Sequence, residues 1–394
     1  MKLKLFTIFR RMLTPSLRKD AAETQPMLPA GSVDTKEYYE QLEKDVEQLD
    51  SLLGKDPNAF RRMQLYSYYR KGDGVDFNEL IPALSYKIRL CNHYLLNYYI
   101  MYRLLIPALL EHKIEEMRML VLGCGSMIDA LSLSYALKEH EGRIAVNYTG
   151  VDIAAWPSGY KTPFEKHFVQ KPLQDWWDSV DVVDENVIFF STVLSELREY
   201  PDETEKLCRG LEQATFKSDT IFLLVSYRST ASYKRDWKLT DWQKMQRVIT
   251  AIEKKGYQAE PVPVAVPQAW QANLFTDYAR DEGDREWPCY YLANPYTENG
   301  AIDIRELAPD FAVPDYVIEY LNDPGYIRKH CSYYQGRRDQ YHRQHPEEDV
   351  EKENLLKICR QQCPINCKPM PKTHFSTRHS PCFQIIIFRR THTA

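Results

Sequence analysis

A continuous apolar run, Met119 to Leu122, meets Gly123-Cys124-Gly125-Ser126, and a second apolar run, Val146 to Val151, stops on Asp152. No other feature limits the possible folds as tightly. An uninterrupted apolar run before a glycine turn is what a central parallel strand needs when helices cover both of its faces. Gly123 and Gly125 lack a Cβ, so the chain can turn sharply there and bring main-chain N–H groups close to a ligand. Ser126 is placed to cap the following helix, whose apolar positions Ile128, Leu131, Leu133, Tyr135, Ala136 and Leu137 can cover the sheet.

Asp152 supplies the second half of the pattern. A carboxylate at the C-terminal edge of a strand can accept hydrogen bonds from both hydroxyls of a ribose, which suits an adenosine. Asp152 lies further from the turn than the roughly 20 residues usual after a dinucleotide loop, so the intervening helix or its exit is extended. A nicotinamide or flavin site would want a third glycine, but Ser126, Met127 and Ile128 follow Gly125. No G-x-x-x-x-G-K-[ST] loop occurs either, which argues against a P-loop hydrolase.

These residues resemble the class I S-adenosylmethionine (SAM)-dependent methyltransferases. The likeness is carried by VLGCGS (Val121 to Ser126), YTGVDI (Tyr148 to Ile153), NVIFFSTVLSEL (Asn186 to Leu197) and SDTIFLLVSYR (Ser218 to Arg228), and it covers roughly Arg118 to Val266 plus a final strand at Cys382 to Arg390. The resemblance implies an α/β fold with a mixed, mainly parallel sheet and helices on both faces. It places Gly123, Cys124 and Gly125 at the methionine end of SAM, Asp152 on the ribose, and Ile153 or Trp156 against the adenine, with Ser126 also among the cofactor-binding residues. The acid that often precedes the glycine motif in this family is absent, Met119 or Leu120 standing in its place; Asp129, in the first turn of the helix, is the substitute candidate for the cofactor's α-amino group.

Composition sets outer limits. A chain of 394 residues with 44% hydrophobic content suits a globular protein of two or three domains. Its net charge of −4 gives no global attraction to nucleic acid, so any such site must be a local basic patch. Nine cysteines, an odd number, suggest a reducing compartment, with cytoplasm expected. The basic stretch Met1 to Lys19 also fits an organelle presequence, which keeps a mitochondrial location as the alternative. The apolar stretch Tyr94 to Leu110 is interrupted by Asn97, Arg103 and Pro107, and reads as a buried helix pair and not a membrane span.

The expected organisation is a basic tail over 1–33, a helical cap over 34–117, the SAM-binding core over 118–267, a partly helical insertion over 268–380 and a closing strand and tail over 381–394. Within the cap, helices are expected from Asp34 or Thr35 to about Leu53, near Ala59 to Arg70, and over Phe77 to His112. Within the core, Thr240 to Lys255 should be a helix stopped by Gly256, with a strand-like segment at Ala259 to Val266. Helix signals in the insertion lie near Asp315 to Leu321 and Glu347 to Gln361.

Three constellations compete for the chemistry. Ser191 to Glu196 follow the presumed fourth strand, where ligands bind in open α/β sheets. Glu196 is the candidate base for an O or N acceptor, with Ser195 beside it; the structural reading is a charge on the first turn of a helix. The Asn/Asp-Pro-Pro-Tyr/Phe signature of base-amine methylation is missing from this position, as is a Pro-Cys nucleophile. The second constellation is Cys359, Cys363, Cys367 and Cys382, with His374 and His379 between, which can form a zinc or iron–sulfur site or be buried thiols. The third, Tyr326 to His345, interleaves Arg328, Lys329, Arg337, Arg338 and Arg343 with tyrosines, as single-stranded RNA would require and as a solvated amphipathic helix would also show.

The acceptor is therefore open among small molecule, protein and RNA, and the oligomeric state is open as well. VLSEL (Val193 to Leu197), with a helical N-terminal region and late cysteines, is also similar to mitochondrial ribosomal small-subunit assembly proteins built on a methyltransferase fold, although their cysteine arrangement is not reproduced. A non-catalytic RNA-binding or ribosome-assembly factor and a dinucleotide oxidoreductase are the alternatives to an enzyme of the methyltransferase class.

Overall fold

The computed structural model describes residues 76–140, 142–156, 160–197, 201–227, 240–262, 274–281, 283–292 and 382–391, together with positions 37–38, 40–41, 44–45, 48, 51–52, 264, 266, 296–297, 300–301, 339 and 343. The chain divides into two compact units, Met1–His93 with Pro295–Thr373, and Tyr94–Asn294 with His374–Ala394. In the first, the helix expected from Asp34 is helical at each described position, and Lys87 Nζ pairs with Asp45 Oδ2 at 2.7 Å, both side chains buried. The helix expected near Ala59 to Arg70, those of the insertion, the Tyr326 to His345 segment and the basic tail all lie outside the described residues, as do Cys359, Cys363 and Cys367, apart from Asp339 and Arg343, which are helical and exposed.

The second unit is built on one mixed sheet. A 32-residue helix, α1 (Leu80–Glu111), leads into it from the first unit. The expected helix pair is thus one helix, and Pro107 falls on an exposed position within it. Then follow β1 (Glu116–Leu122), α2 (Ile128–Leu137), β2 (Ala145–Asp152), β3 (Lys166–Gln170), α3 (Leu173–Trp177), β4 (Val182–Val183), β5 (Val187–Ser191), α4 (Val193–Glu196), α5 (Pro201–Gln213), β6 (Thr215–Phe216), β7 (Thr220–Tyr227) and α6 (Asp241–Glu253). The order closes with β8 (Tyr257–Pro261), the hairpin β9 (Leu274–Arg280) and β10 (Glu286–Leu292), the short pair β11 (Tyr296–Thr297) and β12 (Gly300–Ala301), and β13 (Cys382–Arg390).

The sheet runs β3-β2-β1-β5-β7-β13-β10-β9, with β8 also paired to β13. Pairs from β3 to β7 are parallel, and β13 runs antiparallel between β7 on one side and β8 and β10 on the other. The final strand expected at Cys382 to Arg390 has those bounds. One difference is the hairpin β9–β10: residues assigned to an insertion extend the sheet. Their aromatic content, with Trp287, Cys289 and Tyr290 buried, suits a strand packed into the sheet.

Both faces are covered. Leu120, Leu122, Ile188, Phe190, Leu223 and Val225 pack with Trp177, Leu211, Met245, Val248 and Ile252 of α3, α5 and α6 in one apolar cluster. The alternate residues meet α1 and α2, where the Tyr98 and Phe189 rings touch edge to face at 5.2 Å and Ser132 Oγ of α2 donates to Leu95 O of α1 at 2.9 Å. This burial on two sides explains the unbroken apolar runs. Because β1, β2 and β3 proceed one way from the centre and β5 and β7 the other, the order reverses between β1 and β5. The C-terminal ends of β1, β2 and β5 therefore flank the place where open α/β sheets take ligands.

Candidate functional site

The glycine turn at the end of β1 is built on positive φ at Gly123 (69°) and Gly125 (52°), and Met127 follows in the left-handed region at 58°. A Cβ on Gly123 would lie 2.9 Å from Val193 Cβ, so the turn also makes a close approach to the start of α4. Met127, and not Ser126, occupies the cap position of α2, and no side chain caps it. The reason is the tight bond from Met127 N–H to Cys124 O at 2.9 Å, which carries the chain one residue past Ser126 before the helix starts; Ser126 is buried.

The loop's donors are turned onto β2. Gly123 and Cys124 N–H both donate to Val151 O, at 2.8 and 3.2 Å, and Gly125 N–H donates to Asp152 Oδ2 at 2.8 Å. Main-chain donors expected to face a ligand thus hold the turn to the neighbouring strand. Asp152 Oδ1 accepts from Ala154 N–H at 2.9 Å and from the Trp156 indole N–H at 3.1 Å. The turn and the acid, paired by position along the chain, are tied together by hydrogen bonds. Ile153, next along, is 64% exposed, and the Trp156 ring lies beside Gly125.

Asp129 is sealed in the first turn of α2. Its Oδ2 accepts from Tyr148 Oη of β2 at 2.9 Å, while Oδ1 has no hydrogen-bond partner. Burial pushes its carboxyl up to about 7, against the opposing pull of the Tyr148 hydrogen bond and the Lys166 charge. Burial, reinforced by Asp129, also raises the hydroxyls of Tyr148 and Tyr102, and burial with the nearby Asp152 and Asp129 raises the Cys124 thiol. Burial thus favours the protonated thiol of Cys124.

At the end of β5, Thr192 turns through the left-handed region (φ 57°), its N–H bonded to Phe190 O and Ser226 O. Ser191 Oγ and Tyr98 Oη of α1 are 2.8 Å apart. Ser195 is buried and donates to Asp241 Oδ2 at 2.6 Å, and Lys244 Nζ, also buried, reaches Leu194 O at 2.6 Å and Asp241 Oδ1 at 3.5 Å. Thr240 caps α6 reciprocally with Gln243, which fixes Asp241 at the helix start. Glu196 closes α4; its side chain is outside the described set. Cys382, the described member of the proposed metal set, is buried in β13 opposite Tyr227, and among the described residues no group of three His, Cys, Asp or Glu could hold a metal ion.

Asp241, Lys244, Tyr148 and Tyr98 are the site residues that sequence reasoning missed. Only Asp241 left a trace, in the Thr240-Asp241-Trp242-Gln243 capping pattern. No described helix is long and apolar enough to cross a membrane.

No protein-family model matches the chain, and no curated protein matches its sequence. A similar solved structure is the plantazolicin methyltransferase BpumL in complex with a monoazolic desmethylPZN analog and SAH, at 9% identity over 87% of this chain and 100% of that one, with a TM-score of 0.35. Another is a SAM dependent methyltransferase from Archaeoglobus fulgidus, at 14% identity over 73% of this chain and 94% of that one, with a TM-score of 0.29. The chain's own sheet carries the assignment: its strand order, parallel half and antiparallel Cys382–Arg390 strand are those of a class I methyltransferase-like fold.

Proposed function

We propose that this chain is a SAM-dependent methyltransferase acting on an oxygen or nitrogen acceptor, which is a small molecule, a protein or an RNA. The observation that carries the reading is the junction of Gly125 N–H with Asp152 Oδ2, which joins the glycine turn of β1 to the acid of β2 at the edge where the sheet order reverses. The residues present fit the group. Gly123, Cys124 and Gly125 would border its methionine end, Asp152 its ribose, and Ile153 or Trp156 its adenine. The unpartnered Oδ1 of Asp129 suits an ammonium group, which would draw off the proton that burial favours.

When bound, SAM supplies an electrophilic methyl group. The chain's part is to align the acceptor and to remove its proton. Glu196 is the candidate base. Ser195, the second candidate, is bonded to Asp241, which supports a role in fixing the β5–α4 turn that presents Glu196. A dinucleotide oxidoreductase is disfavoured because the N–H groups of Gly123, Cys124 and Gly125 are engaged by β2, where a pyrophosphate would need them.

Calorimetric titration with S-adenosylhomocysteine tests the reading. Asp152→Ala should bind roughly a hundredfold more weakly, as expected for two lost hydrogen bonds to a charged group. Undiminished affinity in a correctly folded Asp152→Ala protein would overturn the assignment. Stabilisation of the wild type by NAD and not by S-adenosylhomocysteine in a thermal melt would instead favour the oxidoreductase.

A further inference from the structure

We infer that Trp156 is a displaceable cap on Asp152: its indole N–H occupies the carboxylate that a ribose diol needs, and a nucleoside binds by turning it out. The inference rests on reading Asp152 as the ribose acid, and goes beyond placing Trp156 beside an adenine.

Three protein donors already converge on this carboxylate, Gly125 N–H on Oδ2 and Ala154 N–H with Trp156 Nε1–H on Oδ1. A carboxylate offers about four acceptor directions. Two further O–H donors from a vicinal diol cannot be added without removing one of the three. The Gly125 and Ala154 donors are main chain, fixed by the glycine turn and by the end of β2. Of these three donors, the indole is the one carried on a side chain that can rotate away. Its position gives it the same role sterically: the ring edge lies 3.7 and 3.8 Å from the point a Gly125 Cβ would occupy, so the indole spans from the loop to the acid. Trp156 thus holds Asp152 satisfied before a ligand arrives, and a ligand must replace that bond to take its place. A ligand with a single hydroxyl asks for one direction fewer and competes less with the indole.

The experiment compares full-length wild type with Trp156→Phe, which keeps an aromatic face and removes the N–H. Calorimetry is run with S-adenosylhomocysteine and with its 2′-deoxy analogue. Trp156→Phe should bind S-adenosylhomocysteine about tenfold more tightly, because the competing hydrogen bond to a charged group is gone, and gain less on the 2′-deoxy ligand. In wild type, S-adenosylhomocysteine should shift tryptophan emission and increase acrylamide quenching, a change reduced in Trp156→Phe. Equal or weaker S-adenosylhomocysteine binding by folded Trp156→Phe, or an emission change equal in both proteins, overturns the cap while leaving the SAM reading intact. A wild type that binds no adenosine ligand overturns both.

Discussion

Ser195 Oγ donates to Asp241 Oδ2 at 2.6 Å across 46 residues of sequence, with both side chains sealed from solvent. Lys244 completes the group by bonding Leu194 O, the carbonyl immediately before Ser195. One carboxylate and one ammonium thus clamp α6 to the turn after β5. A fully paired buried cluster of this kind specifies a geometry, and removing one partner leaves an uncompensated charge.

Lys244→Met should therefore lower unfolding free energy by about 3–5 kcal/mol, the range for breaking a buried pair. Ser195→Ala should lower it by about 1–3 kcal/mol through the stranded acceptor. Urea denaturation with an unchanged slope measures both. S-adenosylhomocysteine affinity of Ser195→Ala should stay within about threefold of wild type, as expected for a residue outside the adenosyl contacts. A Ser195→Ala protein of full stability that has lost turnover would point back to a catalytic serine.

Asp129 gives a pH dependence with a definite sign. Its carboxyl sits at about 7 in the folded protein against 3.8 for the ordinary side chain, so between these values the folded state holds a proton that the unfolded chain has lost. Its contribution is fully present below about pH 4 and declines as pH rises through 7, by about 1.4 kcal/mol for each pH unit in that window. Asp129→Asn should remove the decline. Wild-type stability minus that of Asp129→Asn should fall from pH 4 to pH 8, measured by denaturant titration at each pH. A constant difference would mean that Asp129 is ionised throughout.

Tyr148→Phe acts on the same carboxyl. The Tyr148 hydroxyl is a donor that favours the ionised form of Asp129, so its loss should move the carboxyl further up and extend the stability decline, which still begins near pH 4, to higher pH. The groups that face Asp129 are Tyr148 and Cys124, with Tyr102 of α1 and Lys166 of β3. A decline that ends at a lower pH than in wild type would show that one of these had taken over as donor.

The strands that position the site were legible because each leaves a local trace: four apolar residues before Gly123, a run ending in Asp152, and the stretch Cys382 to Arg390. Such periodicity is set by burial along one element, which neighbouring residues report. The contacts that define the site were not legible. Ser195 with Asp241, Asp129 with Tyr148 and Ser191 with Tyr98 join residues of different elements, so no spacing encodes them. Ser126 failed as a cap for a related reason. Serine is a good cap in general, but here the turn geometry set by Gly125 and the Met127 bond chose the next residue.

Gly123 tests whether the loop and the β5–α4 turn form one unit. A methyl group there meets two penalties: the positive φ of 69°, and a contact of 2.9 Å with Val193 Cβ. The first costs about 1 kcal/mol for a non-glycine residue in the left-handed region, and the second about 1–3 kcal/mol for overpacking. Gly123→Ala should thus be destabilised by about 2–4 kcal/mol. The clash involves both the Cβ and the Cγ2 of Val193, so shortening that side chain to alanine removes the more distant contact and leaves the nearer one free to shift. Gly123→Ala with Val193→Ala should therefore recover part of the loss, and the recovery should be absent from the sum of the two single variants. Strict additivity in a double-mutant cycle of unfolding free energies would mean that the two turns yield independently, and that the start of α4 is not held against the glycine loop.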